Sequence, residues 1–331
     1  MSLIGKTPLV RLSRVMGDVD IRLYAKLEGF NPGGSLKDRP ALKLIERGFE
    51  SGEINSETTI VESSSGNLGI GLAQVCAFYG LRFICVVDTK TTRSNLDILR
   101  AFGAEVSVVT EADALGGELL EARIARVQTI REQIPNSYWP NQYANSNNAL
   151  AHHATMREIL EELDDGLDYL FCATSSCGTL RGCAEYALDH SPRTKIIAVD
   201  AAGSAIFASP PQKRLIPGHG SAIVPKLLCP ELVHQCVHVT DWECVVACRQ
   251  LVRQESLLVG GSSGAVLTAV RRLAPQLPPG ATCAMIFPDR GERYLDTIYS
   301  DEWVLKHWEA LPVIAPVQQV GTAVQQVGVE A

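Results

Sequence analysis

Asn31-Pro32-Gly33-Gly34-Ser35-Leu36-Lys37-Asp38-Arg39 carries two turn signals, Asn-Pro and Gly-Gly, and delivers a single lysine onto the start of a helix. Before it, Ile21–Leu27 reads as an apolar strand. After it, Ala41, Leu42, Leu44, Ile45 and Phe49 fall at helical spacing up to Gly52. A cation in a first helical turn gains nothing from the helix dipole. Two readings therefore stand side by side: a solvated first-turn lysine, or an amine that forms an imine with an aldehyde cofactor, chemistry that requires loss of the ammonium charge.

Outward from this turn the chain alternates strand-like and helix-like runs. Strands are expected at Ile21–Leu27, Thr59–Glu62, Arg82–Val87, Glu105–Val109, Tyr169–Ala173, Lys195–Val199 and Cys283–Phe287. Helices are expected at Asn67–Tyr79, Ser94–Phe102, Leu119–Gln133, Asn147–Glu162, Thr179–Leu188, Trp242–Glu255 and Ala265–Ala274. This order predicts an α/β fold of mostly parallel sheets flanked by helices. A chain of 331 residues exceeds what one core usually serves, so two lobes with a cleft between them are expected. Residues 1–36 and 147–310 are expected to form the larger lobe and residues 37–146 the smaller one. Residues 311–331, where Val-Gln-Gln-Val-Gly occurs twice, lack helical or strand period and read as a disordered tail.

The formal net charge of −7 argues against nucleic acid as a partner, and an anionic substrate would have to be met by local arginines. No apolar run is long enough to span a membrane, and the first six residues lack the apolar core of a secretory signal, so a cytoplasmic location is expected. The 10 cysteines include no CxxC pair and fall mostly in apolar stretches, so no metal site is expected.

Three further loops are rich in glycine and hydroxyls. Glu62-Ser63-Ser64-Ser65-Gly66-Asn67 joins a strand to a helix and offers amides and hydroxyls for a carboxylate or phosphate, beyond the one serine that capping needs. Thr174-Ser175-Ser176-Cys177-Gly178-Thr179 repeats the arrangement, and with no Walker lysine after it a cofactor monophosphate is the favoured guest. Gly260-Gly261-Ser262-Ser263-Gly264 formally matches the GxSxG nucleophile elbow, and Asp289, Asp296 and Asp301 before His307 give the order of a hydrolase triad. Its late position, with about one strand behind it, argues against that reading.

Taken together these loops resemble the β-family of fold-type II pyridoxal-phosphate enzymes, the group of cysteine synthase and cystathionine β-synthase. The likeness runs in order through Gly5-Lys6-Thr7-Pro8-Leu9-Val10, Lys26-Leu27-Glu28 to Arg39, Ser64-Ser65-Gly66-Asn67, Gln142, residues 175–179, Gly261-Ser262-Ser263-Gly264 and Asp289-Arg290-Gly291-Glu292-Arg293. The resemblance implies a two-lobed, tryptophan synthase β-like fold, pyridoxal 5′-phosphate as cofactor and a homodimer. It implies that Lys37 holds the cofactor as an imine and moves the α-proton. By the same resemblance Asn67 hydrogen-bonds the ring hydroxyl, Ser175, Ser176, Cys177, Gly178 and Thr179 hold the phosphate, and Ser262 faces the pyridine nitrogen. Ser64, Ser65, Gly66 and Gln142 would bind the substrate carboxylate.

Ser175 and Cys177 stand where most members carry glycine. Asp200–Phe207 and Arg214–Gly220 also depart from cysteine synthases and look more like the subgroup that makes N-(2-amino-2-carboxyethyl)-L-glutamate, a precursor of 2,3-diaminopropionate in siderophore and antibiotic pathways. This likeness implies O-phospho-L-serine and L-glutamate as substrates, reacting through an aminoacrylate. Arg123 and Arg126, at i, i+3 on one helix, are candidates for the anionic groups, or else a solvated basic face. Tyr143, Ser176 and Arg214 are candidates for the same pocket. The alternatives are a cysteine synthase using sulfide and a non-catalytic protein that keeps the fold. With no haem-ligand extension before Gly5 and no regulatory module at the other end, a haem-dependent cystathionine β-synthase is not expected.

Overall fold

The computed structural model describes residues 1–110, 119–164 and 166–314. The repeated Val-Gln-Gln-Val-Gly segment lies outside the described residues.

The strands are β1 (Leu9–Leu12), β2 (Ile21–Leu27), β3 (Thr59–Ser63), β4 (Phe83–Asp88), β5 (Glu105–Val109), β6 (Ser137–Tyr138), β7 (Tyr169–Ala173), β8 (Lys195–Ala201), β9 (Gln235–Val239) and β10 (Ala281–Phe287). The helices are α1 (Asp38–Glu50), α2 (Asn67–Tyr79), α3 (Arg93–Ala101), α4 (Leu119–Gln133), α5 (Asn147–Leu150), α6 (His153–Glu162), α7 (Gly178–His190), α8 (Asp241–Glu255), α9 (Gly261–Leu273) and α10 (Asp301–Trp308). Six strands form one sheet in the order β1-β2-β10-β7-β8-β9, and four form a second in the order β5-β4-β3-β6. Every pairing is parallel except β1 with β2.

Parallel strands covered on both faces read as continuous apolar runs, and alternate side chains then enter different cores. In the six-stranded sheet Phe171, Ile197, Val199, Met285 and Phe287 join the core with α8 and α9. Their neighbours Leu170, Cys172, Ile196, Ala198, Ala284 and Ile286 pack instead with α6 and α7. The four-stranded sheet divides likewise: Ile60, Phe83, Cys85 and Val87 face α1 and α2, while Val61, Ile84 and Val86 face α4.

Four elements escape the pattern reading: β1, β6, β9 and α10. The first three are short or polar edge strands, where one side of the ladder carries no hydrophobic demand. The single helix expected over Asn147–Glu162 is broken between α5 and α6, where the ladder tightens and His152 N donates to Ala149 O, three residues back, at 2.9 Å. All 10 cysteines are free thiols. Among the described residues no helix is long and apolar enough to cross a membrane.

Candidate active site

Lys37 sits one residue earlier than a first-turn position, as the residue that caps α1. The turn before it is closed by Gly34 at φ +81° and by the Gly33 amide, which donates to Asp38 Oδ2 at 2.5 Å. A Cβ on Gly33 would lie 2.4 Å from Asp38 Oδ1, so a side chain there would push the lysine loop open. Burial holds the Lys37 amine down at about 8, while the nearby Cys177 and Asp289 draw it upward. At pH 7 about one such amine in ten is neutral, against about three in ten thousand at the ordinary value. That neutral fraction is what attack on an aldehyde needs.

Residues 288–294 strap three loops together. Leu36 N donates to Pro288 O at 2.8 Å and Arg290 N to Gly34 O at 3.4 Å, which fixes the lysine loop. Gly260 N donates to Asp289 O at 3.3 Å and Gly291 N to Leu258 O at 3.1 Å, which fixes the approach to α9. The Asn67 amide at the start of α2 donates from Nδ2 to Asp289 Oδ2 at 2.7 Å, and Arg293 donates to its Oδ1. Lys37, Asn67 and the loop before Ser262 are thereby held against one short segment.

Residues 175–179 follow β7 and open the 13-residue helix α7, so their amides point out of a helix N-terminus. Cys177 adopts φ +63°, which explains why glycine suits that position. Its side chain is buried against Ile206 and Leu227. A Cβ on Gly178 would lie 2.3 Å from Asn148 Oδ1. The Asn148 Nδ2 group donates to Gln142 O at 2.7 Å and to Ser176 Oγ at 3.2 Å, tying the carboxylate-binding candidate to the phosphate-binding one. Thr179 Oγ1 lies 3.3 Å from His152 Nε2.

On the opposite side Ser64 Oγ accepts from Gly69 N at 3.0 Å, and the Ser65 carbonyl accepts from Asn95 Nδ2 at 3.0 Å. Glu62, buried beneath them, accepts from Ser63 N at 2.8 Å, Trp139 Nε1 at 3.0 Å and Gln142 N at 3.4 Å. Burial raises its carboxyl to about 7 despite these donors.

Tyr143 lies within electrostatic reach of Arg123, Glu62 and Arg214. Arg123 is nearly buried beside Asp88, with Nε 3.3 Å from Oδ2. Arg126 is not its companion: its Nε donates outward to Ser107 Oγ at 3.1 Å on an exposed surface. A 300° rotation separates i from i+3 on a helix, and the remaining 60° is enough here to carry one side chain inward and the other out. The triad order is not realised either. Ser262 lies in helix α9 without a positive φ, Gly264 serves the close approach of α9 to Cys244 O on α8, and the His307 ring packs on Trp303 and Trp308.

Asn148 and Glu62 had no assigned part in the sequence, and the Asp289 side chain had one only as a candidate triad acid, whereas in the structure it accepts from Asn67 and Tyr294. Glu62 and Asp289 were visible as carboxylates inside glycine-rich or apolar motifs, an unusual place for a charge. Asn148 had no comparable signal.

The donor set suits a phosphorylated aldehyde: a buried amine of lowered pKa, a helix N-terminus with free amides, an amide side chain held from both ends, and a serine on the first turn of α9. Such a site on two parallel sheets defines the class of pyridoxal-phosphate enzymes. A family model described as pyridoxal-phosphate dependent enzyme matches residues 1–289, and the chain belongs to that family. An O-acetylserine dependent cystathionine β-synthase from Helicobacter pylori is 35% identical, with 90% of this chain and 97% of that one covered and a TM-score of 0.83. A cysteine synthase from Entamoeba histolytica is 31% identical, with 90% and 89% covered and a TM-score of 0.85. An O-ureido-L-serine synthase is 29% identical, with 92% and 98% covered and a TM-score of 0.83. The chain is therefore a pyridoxal-phosphate enzyme of the cysteine synthase type.

Proposed function

We propose that the enzyme replaces the phosphate of O-phospho-L-serine by the amine of L-glutamate, giving N-(2-amino-2-carboxyethyl)-L-glutamate and inorganic phosphate, for a 2,3-diaminopropionate pathway. The Cβ–O bond breaks with its electron pair on phosphate, and a Cβ–N bond forms as the amine loses a proton. The α-carbon gives up one proton and regains one. Pyridoxal phosphate supplies the electron sink that makes the α-proton acidic. Lys37 holds the cofactor and, once displaced, moves that proton. Asn67 binds the ring hydroxyl, residues 175–179 the phosphate group, and Ser262 the pyridine nitrogen. A neutral hydroxyl there does not hold a proton on the ring as a carboxylate would, which favours elimination over transamination. Ser64, Ser65, Gly66 and Gln142 take the α-carboxylate.

The observation that supports the anionic substrates is Tyr143 lying within reach of both Arg123 and Arg214. Two cations whose charges both act on this phenol, Arg123 from its ion pair with Asp88 and Arg214, suit a phosphate and a dicarboxylate better than sulfide. We also read residues 37–146 as a lobe that closes over bound substrate, and the enzyme as a cytoplasmic homodimer; superimposable structures with and without substrate would count against closure. A cysteine synthase using O-acetylserine and sulfide is the second reading, favoured by the likeness to the Entamoeba histolytica cysteine synthase and, for O-acetylserine alone, to the Helicobacter pylori enzyme.

The test is phosphate release from O-phospho-L-serine with the product identified by mass. Release that depends on L-glutamate, and is lost by 10³-fold or so in Lys37→Ala, supports the proposal. Cysteine formed only from O-acetylserine and sulfide would replace it by the second reading. A folded, cofactor-loaded protein inert in both assays would be a binding protein instead.

A further inference from the structure

Asp289 is 3% exposed, and its Oδ2 accepts two hydrogen bonds, from Asn67 Nδ2 at 2.7 Å and from Tyr294 Oη at 2.5 Å. Its Oδ1 has no hydrogen-bond partner among the described residues and lies against Gly260, where an added Cβ would come within 2.0 Å. A buried carboxylate with one oxygen unmatched costs stability, which directs attention to what its bonded oxygen does. The backbone of the same residue pairs with Ser35 on the lysine loop and accepts from Gly260 before α9. Asp289 thus touches, by main chain or side chain, three of the elements from which the cofactor site is built.

The orientation of Asn67 follows from its two partners. Arg293 donates, so it must meet Oδ1; Asp289 accepts, so it must meet Nδ2. An amide nitrogen carries two hydrogens, and Asp289 takes one. The other is left for an acceptor in the cleft, which is the role of a donor to the ring hydroxyl oxygen of pyridoxal phosphate.

We propose that Asp289 is a positioning residue for the cofactor: by accepting from Asn67 Nδ2 it fixes the amide so that the second Nδ2 hydrogen is presented to the ring oxygen. The carboxylate acts through Asn67 and does not touch the reacting atoms. This inference is independent of which nucleophile the enzyme uses. Burial raises the Asp289 carboxyl, and hydrogen bonds from Tyr294 and Asn67 with the nearby Arg293 and Lys37 charges draw it back. The geometry keeps an acceptor at Oδ2 in either protonation state.

The test uses the loaded enzyme and reads two quantities besides turnover, the visible absorbance maximum of bound cofactor and the affinity for pyridoxal phosphate. Asn67→Ala and Asp289→Ala are each expected to shift the band and to weaken retention about 10- to 100-fold, the range for one charge-assisted hydrogen bond. The double variant is expected to look like either single one, because Asp289 acts through Asn67. Asp289→Asn keeps an acceptor at the same place and is expected to restore the band. Additive effects in the double variant, a band unchanged in either single variant, or a band shifted as far by Asp289→Asn as by Asp289→Ala would each overturn the proposal. Should Asp289→Ala not fold, Asp289→Ser, too short to reach Asn67, takes its place with the same expected results.

Discussion

Arg39 and Glu158 meet in a double clasp, Nη1 to Oε1 and Nη2 to Oε2, each at 2.7 Å, while the other edge of the guanidinium grips Glu28 at 2.7 and 2.8 Å. The fully buried Lys26 adds a contact to Glu158 Oε2 at 3.0 Å. Arg39 thereby pins α1, and the lysine just before it, to α6 and to the end of β2. Burial would raise the Glu158 carboxyl, but the bonds from Arg39 hold it down at about 2.

Replacing Arg39 by Met leaves Glu28 buried without a cation and is expected to cost about 3–5 kcal/mol of unfolding free energy. Arg39→Lys is expected to recover less than half of that, since an ammonium cannot bridge two carboxylates edgewise. Urea unfolding of the three proteins checks both; a loss in Arg39→Met below about 1 kcal/mol would mean the network contributes little.

Glu62 supplies a pH dependence. Its folded pKa, about 7, lies above its ordinary value of 4.5. Between those values the unfolded chain has released a proton that the folded chain still holds, so this group's contribution to stability falls as pH rises through that window and levels off above it. Glu62→Gln fixes the uncharged state. Its stability relative to wild type is expected to improve steadily from pH 5 to pH 7 and then stay constant, as measured by denaturant unfolding at each pH. A difference independent of pH would show that Glu62 is already ionised throughout.

Cys177 couples backbone strain to packing. At φ +63° a side chain costs on the order of 1 kcal/mol that glycine does not, yet the thiol is buried against Ile206 and Leu227. Cys177→Gly relieves the first and loses the second, so its stability is expected within about 1 kcal/mol of wild type. Cys177→Ala keeps the strain and loses the packing. It is expected to be the least stable of the three in thermal unfolding, and the reverse order would rule out strain as the reason for glycine at this position.

Arg123 separates binding from chemistry. If it meets the substrate phosphate or a glutamate carboxylate, Arg123→Ala is expected to raise KM about 10- to 100-fold, the range for one charge-assisted hydrogen bond, with a smaller change in kcat. Arg126→Ala, which removes an outward contact to Ser107, is expected to change neither. Equal effects of the two variants would remove Arg123 from the pocket.

Strands β2, β5 and β7 and helices α2 and α4 begin and end where apolar period and turn residues placed them. Burial accounts for β2, β7 and α2, whereas β5 is a half-exposed edge strand and α4 buries only Ala122, Val127 and Ile130, so their bounds rest on local pattern alone. Strand β9 alternates Gln235, Cys236, Val237, His238 and Val239 along a sheet edge, and its pairing to β8 is a tertiary fact with faint local trace. The lysine and the three hydroxyl-rich loops were legible since each needs glycine or serine at a tight turn. Their mutual contacts were not. Asn148 reaches both Gln142 and Ser176 only after β7 and the chain before α5 are brought together.

The sequence by itself determined the alternation of strand and helix, the resulting pair of parallel sheets, the single lysine at a helix start and the family, because these rest on side-chain period and on residues with special backbone freedom. Only the tertiary structure decided that Arg123 turns inward while Arg126 turns out, that Ser262 is a helical residue without a histidine partner, and that Asp289 grips Asn67 222 residues away. Such contacts depend on where distant segments cross, and a buried carboxylate acquires its partners and its pKa only when folding removes the water around it.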